Sequence, residues 1–186
     1  MKLNEDVENL TNRLINMEDE FDQALKSLGN MYDDELRARE QLEEIEDFLK
    51  TCKNEIRSYK LPVISSNYYV QLNEAIDAIN EVEVELEKKP IVIKTLNTRV
   101  DTARDLVLKL YNTTTNMIRT ARQAESAIVF SNRYRSSYEE VDSGLSDAEK
   151  AFYKGQYDEA LEIAVKVTAI VSENIYKKLK KTVYNK

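Results

Sequence analysis

Residues Leu3–Tyr59 read LNEDVENLTNRLINMEDEFDQALKSLGNMYDDELRAREQLEEIEDFLKTCKNEIRSY, an unbroken run without proline. Alternating strides of four and three from Leu3 land on Val7, Leu10, Leu14, Met17, Phe21, Ala24, Leu28 and Met31. They continue through Glu35, Ala38, Leu42, Ile45, Leu49, Cys52, Ile56 and Tyr59. Only Glu35 interrupts the apolar series. This spacing is the heptad seam of a helix that lies along partner helices. At 1.5 Å per residue such a helix would be roughly 85 Å long. The sequence therefore predicts an elongated helical bundle. Gly29-Asn30 is the weak point of the run, but the seam keeps its register from Leu28 to Met31, so a bend is expected there and not a turn.

Leu61-Pro62 ends this first helix, because proline pushes its predecessor out of the helical region. Ser65 or Ser66 is expected to cap a second helix over about 67–88, with a stripe of Tyr69, Leu72, Ile76, Ile79, Val82 and Leu86. Pro90 is then well placed to open a third helix. Its seam runs from Ile93, Leu96 and Val100 to Ala121, Ala124 and Ile128, and the helix could extend to about 142. Ser146 and Glu149 form a capping box for a helix over about 146–154, which Gly155 stops. Helices over about 157–171 and 173–182 follow. The string Phe152–Leu161 reads as a tight helical hairpin of tetratricopeptide type, without a second copy at the expected period.

Composition narrows the function classes. Charged residues make up 33% and aromatics 8%, with no Trp, three Gly and two Pro, as in long amphipathic helices. The net charge is −7. Residues 1–60 hold sixteen acids against nine bases, whereas residues 88–135 hold ten bases against Asp101, Asp105 and Glu125. The basic residues are spread along one helix of an acidic chain, which argues against nucleic acid as a partner. With one cysteine and no histidine, the chain can make neither an internal disulfide nor a Ser–His or Cys–His nucleophile pair. Zinc sites of the usual kind and phosphate-cradling glycine loops are likewise unsupported, so no cofactor or metal is expected and the chain reads as a non-enzyme. Cys52 falls on the seam and is expected to be a small buried apolar residue.

No apolar run reaches membrane-span length, and no signal peptide is visible. Met1 directly precedes mid-heptad helix, as an initiator ahead of an internal segment would. The expected organisation is residues 1–30 as a helix continuing from an upstream repeat, 31–120 as a three-helix repeat and 121–186 as a C-terminal bundle with the hairpin. The second helix must run back along the far half of the first, and the third must run forward again. That is the up-down-up pattern of antiparallel spectrin-like three-helix repeats with long shared helices. Residues 3–30 would then lack upstream partners, and their exposed seam would drive self-association; a strict monomer at high concentration in sedimentation would contradict this. Near the C-terminus Lys177, Lys178, Lys180 and Lys181 form a basic cluster that could meet anionic lipid or balance the helix dipole.

One segment departs from the heptads. Glu125–Tyr138 reads ESAIVFSNRYRSSY, with polar residues and tyrosines where the stripe should continue. It is either a transition between bundles, with Arg133 and Arg135 paired to acids such as Glu139 or Glu140, or a recognition site. The string Asn132–Glu140 (NRYRSSYEE), then Ala148–Tyr157 (AEKAFYKGQY), Ala160-Leu161-Glu162 and Tyr176-Lys177, resemble the EzrA family. These are septation ring formation regulators of low-GC Gram-positive bacteria. The resemblance covers the whole chain as the C-terminal part of a longer protein. It implies a spectrin-like cytoplasmic region, anchored by an N-terminal membrane helix that is absent here, at the division septum. It also implies negative regulation of ring assembly by FtsZ, the tubulin-like division protein, and links to wall synthesis. The family's polar Gln-Asn-Arg patch, tied to septal placement, carries over onto Asn132 and Arg133, with Ser131 where Gln is expected. The implied partner-binding patch is Ser131, Asn132, Arg133, Tyr134, Arg135, Ser136 and Ser137. Its guanidinium groups suit a carboxylate-rich tail. The alternative is a spectrin-like spacer or coiled-coil scaffold that does not bind FtsZ.

Overall fold

The structure is a computed structural model. It describes the backbone of residues 2–184 and the side chains of residues 8–173. Among the described residues there is no strand: the protein is all-α. Five helices run α1 Lys2–Tyr59, α2 Ser66–Glu87, α3 Ile93–Asn132, α4 Glu139–Tyr153 and α5 Tyr157–Tyr184, with a 3₁₀ turn at Arg135–Ser137. Two compact units are formed. The first comprises Met1–Glu46 and Ala78–Arg104, the second Asp47–Asp77 and Asp105–Lys186. Helices α1, α2 and α3 each supply residues to both.

In the first unit the heptad positions Ala38 and Ile45 of α1 are buried, as are Val82 and Leu86 of α2 and Leu96, Val100 and Ala103 of α3. A carboxylate lies among them. Glu85 is 2% exposed. Its Oε2 lies 2.7 Å from Lys88 Nζ and 3.2 Å from Arg99 Nε, while Arg99 Nη1 reaches Glu81 Oε2 at 2.6 Å. The seam of α1 is not covered throughout: Leu10, Leu14, Met17, Phe21, Ala24 and Leu28 are exposed. The seam residues Leu3 and Val7 lie outside the described side chains.

In the second unit α1 and α3 run in the same direction. Phe48 meets Tyr111 edge-on, and eleven residues later Tyr59 sits under the Arg122 guanidinium, 4.9 Å from its ring centre. The heptad strides of α3 hold to its end, with Val107, Leu110, Thr114, Ala121 and Ala124 buried. Thr114 is tolerated there because its hydroxyl donates to the Leu110 carbonyl at 2.8 Å. Helix α5 runs alongside α3, and α4 returns against α5 through Val141, Leu145, Val167 and Val171. Near the corner Ala124, Ala151 and Ala160 pack together, so small residues let three helices approach.

Several expected boundaries move. Pro90 does not open α3, which starts at Ile93 after a cis Lys89-Pro90 bond. The stripe of α2 begins on buried Tyr68, and Tyr69 is half exposed, because the helix faces its neighbours one position earlier. Helix α3 stops at Asn132, not near 142, and α4 begins at Glu139. Ser146 is therefore inside α4, not its cap; Tyr138 occupies the cap position without a side-chain capping hydrogen bond, and Glu139, Glu140 and Asp142 face the positive helix end instead. The two expected C-terminal helices are one, α5.

The hairpin corner is built as expected. Gly155 takes φ +78°, its N–H donates to Phe152 O and Gln156 N–H to Ala151 O, which is a Schellman termination. A Cβ at Gly155 would also come within 2.9 Å of Val63. Beside it the Tyr157 hydroxyl donates to Val63 O at 2.6 Å and accepts from Val63 N at 3.2 Å, tying the α1–α2 connection to the start of α5.

Cys52 is fully buried, and burial, followed by the nearby Glu55 carboxylate, pushes its thiol from 9.0 up to about 11. A raised folded pKa means the unfolded chain loses this proton first. The contribution is thus complete below pH 9 and lost as pH rises towards about 11. The loss is expected to be on the order of 2 kcal/mol. Urea unfolding across this window should show it in the parent chain and not in Cys52→Ala; equal alkaline losses in both would refute the assignment.

Candidate functional site: the turn between α3 and α4

The polar segment singled out in the sequence is where the helix breaks. Tyr134 N–H donates to Ser131 O and Ser137 N–H to Tyr134 O, which closes the 3₁₀ turn. Tyr138 then goes extended before α4. The heptad stripe ends here: the strides after Ile128 land on Ser131 and Arg135, which put polar atoms where apolar ones would continue.

The seven expected patch residues divide into two groups. Ser131 is completely buried, and its hydroxyl lies 3.0 Å from Thr168 Oγ1 on α5. Thr168 gives its proton to the Ala164 carbonyl, which leaves Ser131 as the donor. Tyr134 is half-buried and packs on the Val141/Leu145/Val167/Val171 cluster. Arg135 is a clamp: Nη2 donates to Glu149 Oε2 at 3.0 Å, Nη1 to Asn132 Oδ1 at 3.3 Å, and Nε lies 2.9 Å from Asp142 Oδ1. The Nε–Asp142 approach is a charge contact and lacks hydrogen-bond alignment. The Glu149 bond raises the guanidinium's pKa, so the clamp stays charged.

Asn132, Arg133, Ser136 and Ser137 are exposed. Arg133 is held flat by its own helix end: Nε donates to Phe130 O at 3.1 Å and the guanidinium lies 5.0 Å from the Phe130 ring centre. Its outer edge remains open for a bidentate acceptor.

The sequence expectation placed the acids for these arginines at Glu139 or Glu140, the spacing of a continuous helix. The break instead brings Asp142 and Glu149, both on α4, to Arg135. Asp142, Glu149 and Thr168 therefore position the turn, and no heptad count through an unbroken helix would have found them. Among the described residues no cluster of His, Cys, Asp or Glu could hold a metal ion. No described helix is long and apolar enough to cross a membrane. The basic residues from Lys177 to Lys181 lie outside the described side chains.

Comparison with known proteins places the chain in a family. The family model of EzrA, the septation ring formation regulator, matches residues 1–183. A septation ring formation regulator EzrA of Geobacillus sp. (strain WCH70) is 35% identical over 130 residues, covering 70% of this chain and 23% of the relative. Its counterpart in Listeria monocytogenes serotype 4b (strain CLIP80459) is 30% identical over 174 residues, covering 93% of this chain and 30% of the relative. The chain thus spans about a quarter to a third of the length of these relatives. No solved structure matches. Because the family model matches nearly the whole of this chain, residues 1–183, the chain belongs to the EzrA family of septation ring formation regulators.

Proposed function

We propose that this chain is the septum-directed part of a cell-division regulator that works by binding and not by catalysis. In this reading the whole protein sits on the cytoplasmic face of the membrane, anchored by a segment outside this chain. It binds FtsZ, restrains ring assembly and serves as a scaffold for other division and wall-synthesis proteins. The observation that carries the reading is family membership over residues 1–183. The turn supports it, because Asn132, Arg133, Ser136 and Ser137 present exposed polar groups on a frame fixed by Ser131, Tyr134 and Arg135. The exposed stripe of α1 offers a second contact face, for a helix of another copy.

The test is co-sedimentation of the chain with polymerising FtsZ while light scattering follows polymer mass. The chain should pellet with the polymer and lower the scattering. Asn132→Ala with Arg133→Ala should keep full helicity, and in cells the full-length protein carrying both should lose septal enrichment. If the chain neither pellets nor changes the scattering, the spacer reading replaces FtsZ binding by these residues. If the double variant still concentrates at the septum, the turn is not the targeting site.

A further inference from the structure

On α1 the seam positions Leu10, Leu14, Met17 and Phe21 form one continuous stripe, and each is more than half exposed. Further along the same seam the surroundings change. Met31 falls to 38%, and it shares a hollow of about 530 Å³ with Leu86, Ile91 and Ile93 around the α2–α3 connection. Beyond it Ala38 and Ile45 are buried. A bare stretch of seam thus leads into a covered one on a single helix of the first unit. Bare heptads of this kind are stabilised by burying them against another helix.

The charges beside the stripe say which helix fits. Arg13 and Glu20 immediately precede the seam residues Leu14 and Phe21, so both lie on one flank. Glu18, which follows Met17, lies on the other flank with Thr11. Arg13, Glu18 and Glu20 are exposed, and no ion pair engages them among the described residues. In an antiparallel pair each flank meets the same flank of the other helix. One register then layers Leu14 on the partner's Met17 and Leu10 on the partner's Phe21, each twice by symmetry. It sets Arg13 against the partner's Glu20, also twice, and Glu18 against the partner's Thr11, with no like charges together. Sliding by one heptad sets Arg13 against the partner's Arg13 in one direction. In the other it sets Glu18 and Glu20 each against its own copy. Sliding by two towards the covered end drives Leu10 onto the partner's Glu35, whose carboxylate is held by Arg39 at 2.8 Å. It also pushes the helix into the hollow at the α2–α3 connection. A parallel pair would set Arg13 beside the partner's Glu18. Its two seams would then continue side by side past Met31, where α2 and α3 of each copy already cover them.

We infer that the bare stretch of α1 docks a second copy of this chain, antiparallel, with the two-fold axis between Ile15 and Asn16. The inference rests on the α1 stripe as a contact face for another copy, and gives that contact a direction and a register. The pairing places the two bundles at opposite ends of a shared helical seam. Charge selects this register over its neighbours, and the covered seam beyond Met31 selects antiparallel over parallel.

The test is sedimentation equilibrium of the full chain across the micromolar range. The parent should be a dimer. Arg13→Glu and Glu20→Arg each replace two attractive contacts by two repulsive ones, so each alone should raise the dissociation constant roughly tenfold or more. An equimolar mixture of the two variants should recover dimers of parental affinity, because every flank contact is attractive again. Both variants should keep parental helicity, since both side chains are at the surface. A parent that stays monomeric would overturn the inference and leave the stripe to a different polypeptide. Dimers that survive Glu20→Arg but not Arg13→Glu would mean a parallel pair, in which Glu20 faces the partner's Leu25. Variants that do not recover on mixing would refute the register. FtsZ binding is separable: a parent dimer that fails to pellet with FtsZ polymer removes that reading and leaves the pairing, whereas a monomer that pellets does the reverse.

Discussion

Arg99→Met is expected to cost about 3 kcal/mol of stability, because it strands a buried carboxylate. Glu85 is nearly inaccessible, and its counter-charges are Arg99 and Lys88. Lys88 sits at the end of α2 with half of its side chain in solvent, so alone it cannot replace the water that Glu85 gave up. Methionine keeps most of the arginine stem's packing, which isolates the effect of the charge. The sharper test is the double variant. Glu85→Leu in the Arg99→Met background removes the stranded charge and supplies apolar volume, so most of the loss should return. Urea unfolding followed by circular dichroism measures both. A loss below about 1 kcal/mol for Arg99→Met, or a double variant less stable than the single, would show that water reaches Glu85 in the folded state.

Much of this architecture was legible in the sequence, because heptad spacing is a direct consequence of helix geometry. The α3 seam reads straight through Leu96, Val100, Ala103, Val107 and Leu110 to Ala121 and Ala124, all of them buried. Cys52 on the α1 seam is buried for the same reason. Gly155 was legible as a stop because no other residue accepts its φ cheaply. What spacing could not supply was the break at 133–138. Tyr134 and Tyr138 are compatible with a helix, and Ser146 followed by Glu149 mimics a capping box. The break is decided by tertiary contacts: Ser131 against Thr168, and Arg135 against Asp142 and Glu149. The Ser131–Thr168 and Arg135–Glu149 contacts join residues 37 and 14 positions apart, beyond any local pattern. Glu85 escaped for the opposite reason. It looks like one more surface acid of α2, and only the approach of Arg99 shows that it is buried.

Gly144→Leu is expected to cost about 3 kcal/mol, even though leucine is a far better helix former than glycine. Gly144 lies inside α4, where a Cβ would come within 2.5 Å of Val167 Cγ2 on α5. Valine in a helix has essentially one χ1 rotamer, so it cannot swing aside. The helices must part, and the neighbouring contacts of Val141 and Leu145 with Val171 would be loosened with them. Gly144→Ala adds one methyl to the same spot and gains up to about 1 kcal/mol of helix propensity, so its net cost should be smaller, about 1–2 kcal/mol. Trimming the obstacle provides the control. In a Val167→Ala background the alanine methyl fills space that valine vacated, and the pair should show a favourable coupling of about 1 kcal/mol or more. The consequence extends to the turn, because Thr168 follows Val167 and holds Ser131, while Arg135 is anchored on α4. Gly144→Leu should therefore also expose residues 133–138 to proteolysis, and Gly144→Ala/Val167→Ala should protect them again. Additive stabilities in the cycle, or an unchanged cleavage rate in Gly144→Leu, would mean that α4 and α5 are not in the close contact on which the turn depends.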